Sequence, residues 1–179
     1  FTGEANTLYQ NQGEFGFHDA TNQVGIREAS WNQLGFGTVM QDLDLDGKQE
    51  LFSANGHVDE RNAEGEGYRQ KAQLLGYDGK RWIDISLDAG LYFKKKLVGR
   101  GVSLGDFDSD GRPDLLVGHQ NSPAALLRNE SEVGTWLKLK FIGTTANRQG
   151  IGCLVKVNMG RERNTQISTC RGDQLWVVS

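Results

Sequence analysis

Apolar and polar positions alternate in short segments along this chain of 179 residues. The segments are bounded by glycine, aspartate or asparagine, as is typical of strands joined by turns, and helical periodicity is lacking. The alternation is clear at 136–141, where Leu137, Leu139 and Phe141 alternate with two lysines. Further strands are expected at 151–157, 164–168 and 175–178, with a turn at 159–161. The pattern predicts an all-β fold with a β-rich C-terminal segment and no helices.

The same order of segments occurs twice. Residues 7–9 correspond to 73–75, 17–19 to 82–84, 24–26 to 89–91, and 42–52 to 106–116; Gly37 corresponds to Gly101. A third copy begins at 126–129, which matches 8–11, but no third acidic loop follows it. A period of this kind predicts β-propeller-type blades. The polar stretch 57–71 is expected to be a surface loop that lengthens the period.

The domain organisation follows from this period. Two repeats are expected at about 1–66 and 67–130, followed by the β segment at 131–179. The chain begins with Phe1, and its start does not resemble a signal peptide, so we expect a processed or excised segment. Propellers close with about four to eight blades. We therefore expect association with the rest of a longer chain, or with a second copy, to complete the array of sheets.

The strongest chemical signal is an acidic loop that occurs once in each repeat, at 42–50 (the first loop) and at 106–114 (the second loop). Aspartates at the first, third and fifth positions, glycine at the sixth and a carboxylate at the ninth form an oxygen cage for a hard divalent cation, and the seventh residue offers its backbone carbonyl. The sequence predicts two Ca²⁺ sites. The side-chain ligands would be Asp42, Asp44, Asp46, Glu50, Asp106, Asp108, Asp110 and Asp114, and the backbone ligands would be Lys48 and Arg112.

Other interpretations of these loops fit less well. An EF-hand needs a glutamate at position twelve and flanking helices, but that position is Ser53 in the first loop and Val117 in the second. Magnesium prefers a smaller octahedral shell and retains its waters. Acidic surface turns without a metal remain the alternative.

A family resemblance follows from these motifs. The segments Gly-Thr-Val-Met-Gln-Asp-Leu-Asp-Leu-Asp-Gly at 37–47 and Gly-Val-Ser-Leu-Gly-Asp-Phe-Asp-Ser-Asp-Gly at 101–111 resemble FG-GAP/VCBS repeats of integrin-α-like propellers. Residues 54–58 and the tail from 136 to 152 resemble the ASPIC/UnbV module of the cartilage acidic protein kind. After Cys170 the sequence departs from that module and stops before it would finish. The resemblance implies a propeller, calcium, and an extracellular or periplasmic setting, and it implies no known reaction.

Charge and composition narrow the function. There are 20 basic and 23 acidic residues, and the formal charge of −3 argues against a nucleic-acid partner. No apolar run reaches the roughly 20 residues of a membrane span, so membrane insertion is not expected. No nucleophile is paired with a base at a recognisable spacing. We expect a non-enzymatic, extracellular or cell-surface adhesion scaffold that binds a protein or polysaccharide. The alternatives are an accessory or catalytic domain of a calcium-dependent polysaccharide-acting enzyme and a purely structural domain.

Three short motifs allow more than one interpretation. Cys153 and Cys170 lie in neighbouring predicted strands. Their spacing allows either a disulfide between them or two buried free thiols. The tripeptide Arg171-Gly172-Asp173 is an integrin-recognition sequence when it is exposed, although such short matches are common by chance. Residues 129–131 fit the acceptor pattern for N-glycosylation, which matters only in a secretory eukaryotic host.

Overall fold

The computed structural model describes residues 3–61, 67–133, 136–144, 147–158, 165–169 and 174–178. These residues form antiparallel sheets, as the sequence predicts for an all-β fold of the β-propeller type. Within these ranges there is one short helix, α1 (Ile26–Ser30), and there are 3-10 turns at Gly13–Phe15 and Leu91–Lys94. The strands are β1 (Tyr9–Asn11), β2 (Phe17–Asp19), β3 (Gly35–Gln41), β4 (Glu50–Asn55), β5 (Gln70–Lys71), β6 (Gln73–Tyr77), β7 (Trp82–Asp84), β8 (Lys96–Leu97), β9 (Gly99–Gly105), β10 (Asp114–His119), β11 (Ala125–Leu127), β12 (Trp136–Lys140), β13 (Leu154–Asn158), β14 (Thr165–Thr169) and β15 (Gln174–Val178).

The first large sheet has four strands in the order β3-β4-β6-β7. Strands β3 and β4 come from the first sequence repeat, whereas β6 and β7 come from the second. This sheet therefore spans the expected boundary between residues 66 and 67. Hydrogen bonds between β4 and β6, with Leu51 opposite Leu75, join the two halves.

The second large sheet has three strands in the order β11-β10-β9. Leu115 pairs with Leu127 in the same way that Leu51 pairs with Leu75, so the sheets share one register. This register makes β11 equivalent to β6. Continued by one and two residues, it places Arg128 at the position of Gly76 and Asn129 at that of Tyr77.

The core lies between these two sheets. Phe52 is fully buried and meets Phe93 in an edge-to-face contact with ring centroids 6.0 Å apart. Apolar side chains of this size dominate the energetics of a core because each buries a large area. The cluster comprises Leu43, Phe52, Ala54, Ala72, Phe93, Leu115 and Val117.

In the part of the chain that the structure describes, the second sheet exposes apolar side chains on its far face. Leu116 is equivalent to the fully buried Phe52, yet it is 38% exposed. Leu126 is equivalent to Leu74, which packs against the core, but Leu126 is 56% exposed. The exposure differs because the face of the first sheet that carries Phe52 and Leu74 packs against the second sheet.

Two expectations about local structure were wrong. Helix α1 forms although no helix was expected, because a five-residue helix is too short to produce a periodic pattern. It begins after Gly25 in a left-handed conformation, φ 78°. The stretch 57–71 is not wholly a surface loop either, since His57 and Gln70 at its two ends are buried.

The C-terminal strands confirm the β-rich tail. β12 pairs with β15 and β13 pairs with β14, both antiparallel. β13 begins at Leu154, later than expected, because the preceding residues form a turn with Gly152 at φ 87°. Cys153 is exposed, whereas Cys170, the turn at 159–161 and the tripeptide at 171–173 lie outside the described residues. No helix in the described part of the chain is long and apolar enough to cross a membrane.

Candidate metal centres

The two acidic loops occupy equivalent places in the fold. The first loop joins β3 to β4, and the second loop joins β9 to β10. In the first loop, carboxylate oxygens of Asp42, Asp44 and Glu50 lie within 4.8 Å of one another. The second loop brings together its first, third and ninth residues in the same way, namely Asp106, Asp108 and Asp114.

The loop backbones adopt the same unusual conformation. The sixth residues, Gly47 and Gly111, have φ of 88° and 91°, as the sequence predicts for the sharp turn. The fourth residues, Leu45 and Ser109, also have positive φ, 56° and 61°. Only glycine adopts a positive φ without steric cost, so each loop stores backbone strain at its fourth residue. Leucine and serine give no sequence signal for this conformation.

Hydrogen bonds to the first loop's carboxylates hold its shape. Asp42 accepts from the backbone N–H groups of Asp46 and Gly47, at 3.0 and 2.9 Å. The ninth residue, Glu50, is buried and accepts from the backbone N–H of Leu43 at 2.7 Å. The carboxylates are thereby oriented before any ligand arrives.

The second loop repeats this network. Asp106 accepts from the N–H of Gly111 at 3.2 Å, and Asp114 Oδ2 accepts from the N–H of Phe107 at 2.9 Å. Asp114 is 2% exposed. Two loops separated along the chain therefore build one cage geometry from matching positions.

The fifth-position aspartates face the side chains of the seventh residues. Lys48 Nζ lies 2.9 Å from Asp46 Oδ2, and Arg112 Nε lies 3.0 Å from Asp110 Oδ2. Although burial raises the pKa of Asp46, the hydrogen bond and charge of Lys48 outweigh it and lower that pKa. Hydrogen bonds from Arg112 lower the pKa of Asp110. Ligation by these two carboxylates, and by the carbonyls of Lys48 and Arg112, remains a prediction.

The carboxylates of the first loop are electrostatically crowded. Burial raises the pKa of Asp42 and of Asp44, with further contributions from neighbouring aspartates. Burial, followed by the nearby charges of Asp44 and Asp42, raises the pKa of Glu50 to about 7. A bound cation would relieve this repulsion. The clustered donors are carboxylate oxygens, which fit the hard cation Ca²⁺.

A positively charged side chain, that of Arg128, also contacts the second loop, and the sequence did not reveal it. Arg128 Nε donates to Asp108 Oδ2 at 2.6 Å, and its Nη2 lies 3.5 Å from Asp110 Oδ2. Its Nη1 lies 3.3 Å from Glu130 Oε1. The equivalent position beside the first loop is Gly76. The register of the repeats was the only sequence signal that could have drawn attention to this difference.

Asn129 connects the two loops and was also missed as a site residue. Its side-chain amide donates to the carbonyl oxygens of Leu43, at 2.6 Å, and Pro113, at 3.0 Å. Its backbone N–H donates to Asp114 Oδ1 at 2.8 Å. The nitrogen that N-glycosylation would modify is thus engaged in the fold. A cavity of about 400 Å³ lies beside these residues, lined by Leu43, Leu74, Phe93, Leu115, Leu127, Arg128 and Asn129 among others.

Comparison with known protein families identifies one of the two repeats. The model of the FG-GAP repeat matches residues 98–129, which contain β9, the second loop, β10 and β11. FG-GAP repeats point to a β-propeller-type fold and commonly bind calcium. The chain matches no curated protein.

Proposed function

We propose that this chain is a calcium-binding, extracellular or periplasmic β-propeller-type module that acts as a binding scaffold for a protein or a polysaccharide. The observation that supports it best is the repetition of one cage, three carboxylates within 4.8 Å, in two loops at equivalent positions. The FG-GAP match over the second loop supports the same proposal. The strand-rich tail would be the ASPIC/UnbV-like part.

Calcium would act by fixing the loops. Each loop follows the first strand of its sheet, and β3 and β9 lie side by side. Asn129 hydrogen-bonds to both loops, so the two cages lie at the same end of the sheets. A cation in each cage would order that end without taking part in a reaction, so catalysis is not part of the proposal. Modules of this kind bind calcium with dissociation constants of about 10⁻⁴–10⁻³ M, which suits a compartment rich in calcium.

The experiment is a calcium titration by calorimetry, with thermal melts in EDTA and in millimolar calcium. We expect two calcium ions per chain and a higher melting temperature with calcium. At calcium about tenfold above the dissociation constant, each site would add roughly 1.4 kcal/mol to the free energy of unfolding. Asp44→Asn and Asp108→Asn should each remove one site. Glu14→Gln, at an exposed position outside the loops, is the control that likewise removes one negative charge.

Identical melts with and without calcium, and no heat of binding, would contradict the proposal. The loops would then be acidic turns. The ligand is tested separately, by probing a glycan array and an extracellular-matrix protein panel with the folded chain. Binding should require calcium and be lost in the variant that lacks both sites.

A further inference from the structure

We propose that the Arg128 guanidinium is an internal counter-ion of the second loop, which calcium must displace, so that the second loop binds calcium more weakly than the first. This inference rests on the calcium binding proposed above and adds an order of affinity to it. It also identifies the residue that sets the order.

The contacts place the guanidinium against a ligand of the cage. Arg128 Nε lies 2.6 Å from Asp108 Oδ2, and Asp108 is one of the three clustered carboxylates of the second loop. A cation bound among those carboxylates would lie within a few ångströms of the guanidinium. Since like charges at that distance repel, the pair must open, or its favourable contact must weaken, when calcium enters.

Among the described residues, no equivalent of this counter-ion stands beside the first loop. The shared register of the sheets puts Gly76 where Arg128 stands, and glycine has no side chain to reach the cage. The pair formed by the fifth and seventh residues does not distinguish the loops, because Lys48 with Asp46 is matched by Arg112 with Asp110. The difference in local positive charge between the two cages therefore comes from Arg128.

The backbone next to Arg128 is held in place, but its side chain can leave. The neighbouring Asn129 is fixed by hydrogen bonds to Asp114 and Leu43. The Arg128 side chain is 55% exposed and already contacts Glu130, which lies outside the cage. Displacement by calcium would therefore move a long side chain towards solvent and Glu130 without disturbing a strand. The released guanidinium would then lie at the wall of the adjoining cavity.

The test uses the Asp44→Asn chain, in which only the second loop is expected to bind. Arg128→Gln in this background should strengthen calcium binding by roughly threefold to tenfold, as expected for removal of one exposed ion pair and one neighbouring positive charge. Lys95→Gln is the matched control, because Lys95 is exposed and precedes β9, whereas the loop follows β9. It should leave the affinity within twofold.

A second measurement needs no variant. In an NMR titration of the wild-type chain, the Arg128 Nε–H resonance should move towards the value of a free arginine as calcium fills the second loop. This shift should need more calcium than the shifts of the first-loop backbone resonances. If the wild-type chain binds two calcium ions while Arg128→Gln leaves the affinity unchanged and the resonance does not move, this inference fails alone. If the wild-type chain binds no calcium, the proposed function fails and this inference fails with it.

Discussion

The backbones of Gly37 and Gly101, which occupy the same position in the two repeats, are in direct contact between β3 and β9. A Cβ atom on Gly37 would lie 2.7 Å from the Cα of Gly101, whereas a Cβ on Gly101 would meet no atom within 4 Å. The two equivalent glycines thus differ in the space available to a side chain, because a Cβ atom on Gly37 would point into the neighbouring sheet and one on Gly101 would not.

This contact predicts unequal effects of the same substitution. Gly37→Ala should lower the free energy of unfolding by about 1–3 kcal/mol, since the methyl group meets backbone that cannot move aside. Gly101→Ala should be neutral or stabilising by up to about 1 kcal/mol, because alanine costs less entropy than glycine in a strand. Urea unfolding of the two variants measures both values, and equal destabilisation would contradict the packing.

The two second-loop residues with positive φ, Ser109 and Gly111, give another pair of substitutions with unequal expected effects. Gly111→Ala should destabilise the chain by about 1–2 kcal/mol, because alanine is strained at the φ of 91° found there. Ser109→Gly should change stability by less than about 1 kcal/mol, since relief of strain at φ 61° offsets the greater chain entropy of glycine. Thermal melts of both variants in EDTA test this, and a destabilising Ser109→Gly with a silent Gly111→Ala would contradict it.

The stability of the calcium-free chain should depend on pH through Glu50. Burial raises its pKa from 4.5 to about 7 in the folded state, so the folded chain retains a proton that the unfolded chain releases. The stability contributed by this proton is fully present below about pH 4.5 and is lost as pH rises through about 7.

The measurement is the urea midpoint in EDTA between pH 4 and pH 8. Glu50→Gln should flatten the decline, while the exposed control Glu14→Gln should leave it in place. A decline that persists unchanged in Glu50→Gln would assign it to another group. Added calcium should oppose the decline, because the cation favours the ionised carboxylate.

The uncovered face of the second sheet predicts association. Leu116 and Leu126 are exposed side by side, paired across β10 and β11. Apolar surface of this kind is typical of an interface, so the chain should form concentration-dependent oligomers in sedimentation velocity experiments. Replacing both leucines by lysine should yield monomers, whereas Leu87→Lys, at an exposed site beyond β7, should not. A monomeric wild-type chain at high concentration would refute the prediction.

Local patterns predicted much of this molecule, because strands and acidic loops are encoded by neighbouring residues. The spacing of the acidic residues was enough to predict a cluster in the first loop, and the fold brings Asp42, Asp44 and Glu50 together there. The left-handed Leu45 was not predictable, since leucine carries no signal for that conformation.

Contacts between distant positions could not be inferred in this way. Asn129 reaches Leu43 across 86 residues of sequence, and Arg128 reaches Asp108 across 20. Such contacts depend on how the sheets pack, which no local pattern encodes. His57 likewise lies in a polar stretch but becomes buried when the sheets pack.

The β3-β4-β6-β7 sheet takes two strands from each side of the repeat boundary. A protease cut between Asn55 and Gln70 would therefore leave two fragments that share one sheet through the β4–β6 hydrogen bonds. The chain is in this respect a natural candidate for fragment complementation, with neither piece able to form the blade by itself. A gene truncated at the boundary would encode half a blade, whereas duplication of one full period would add a whole one.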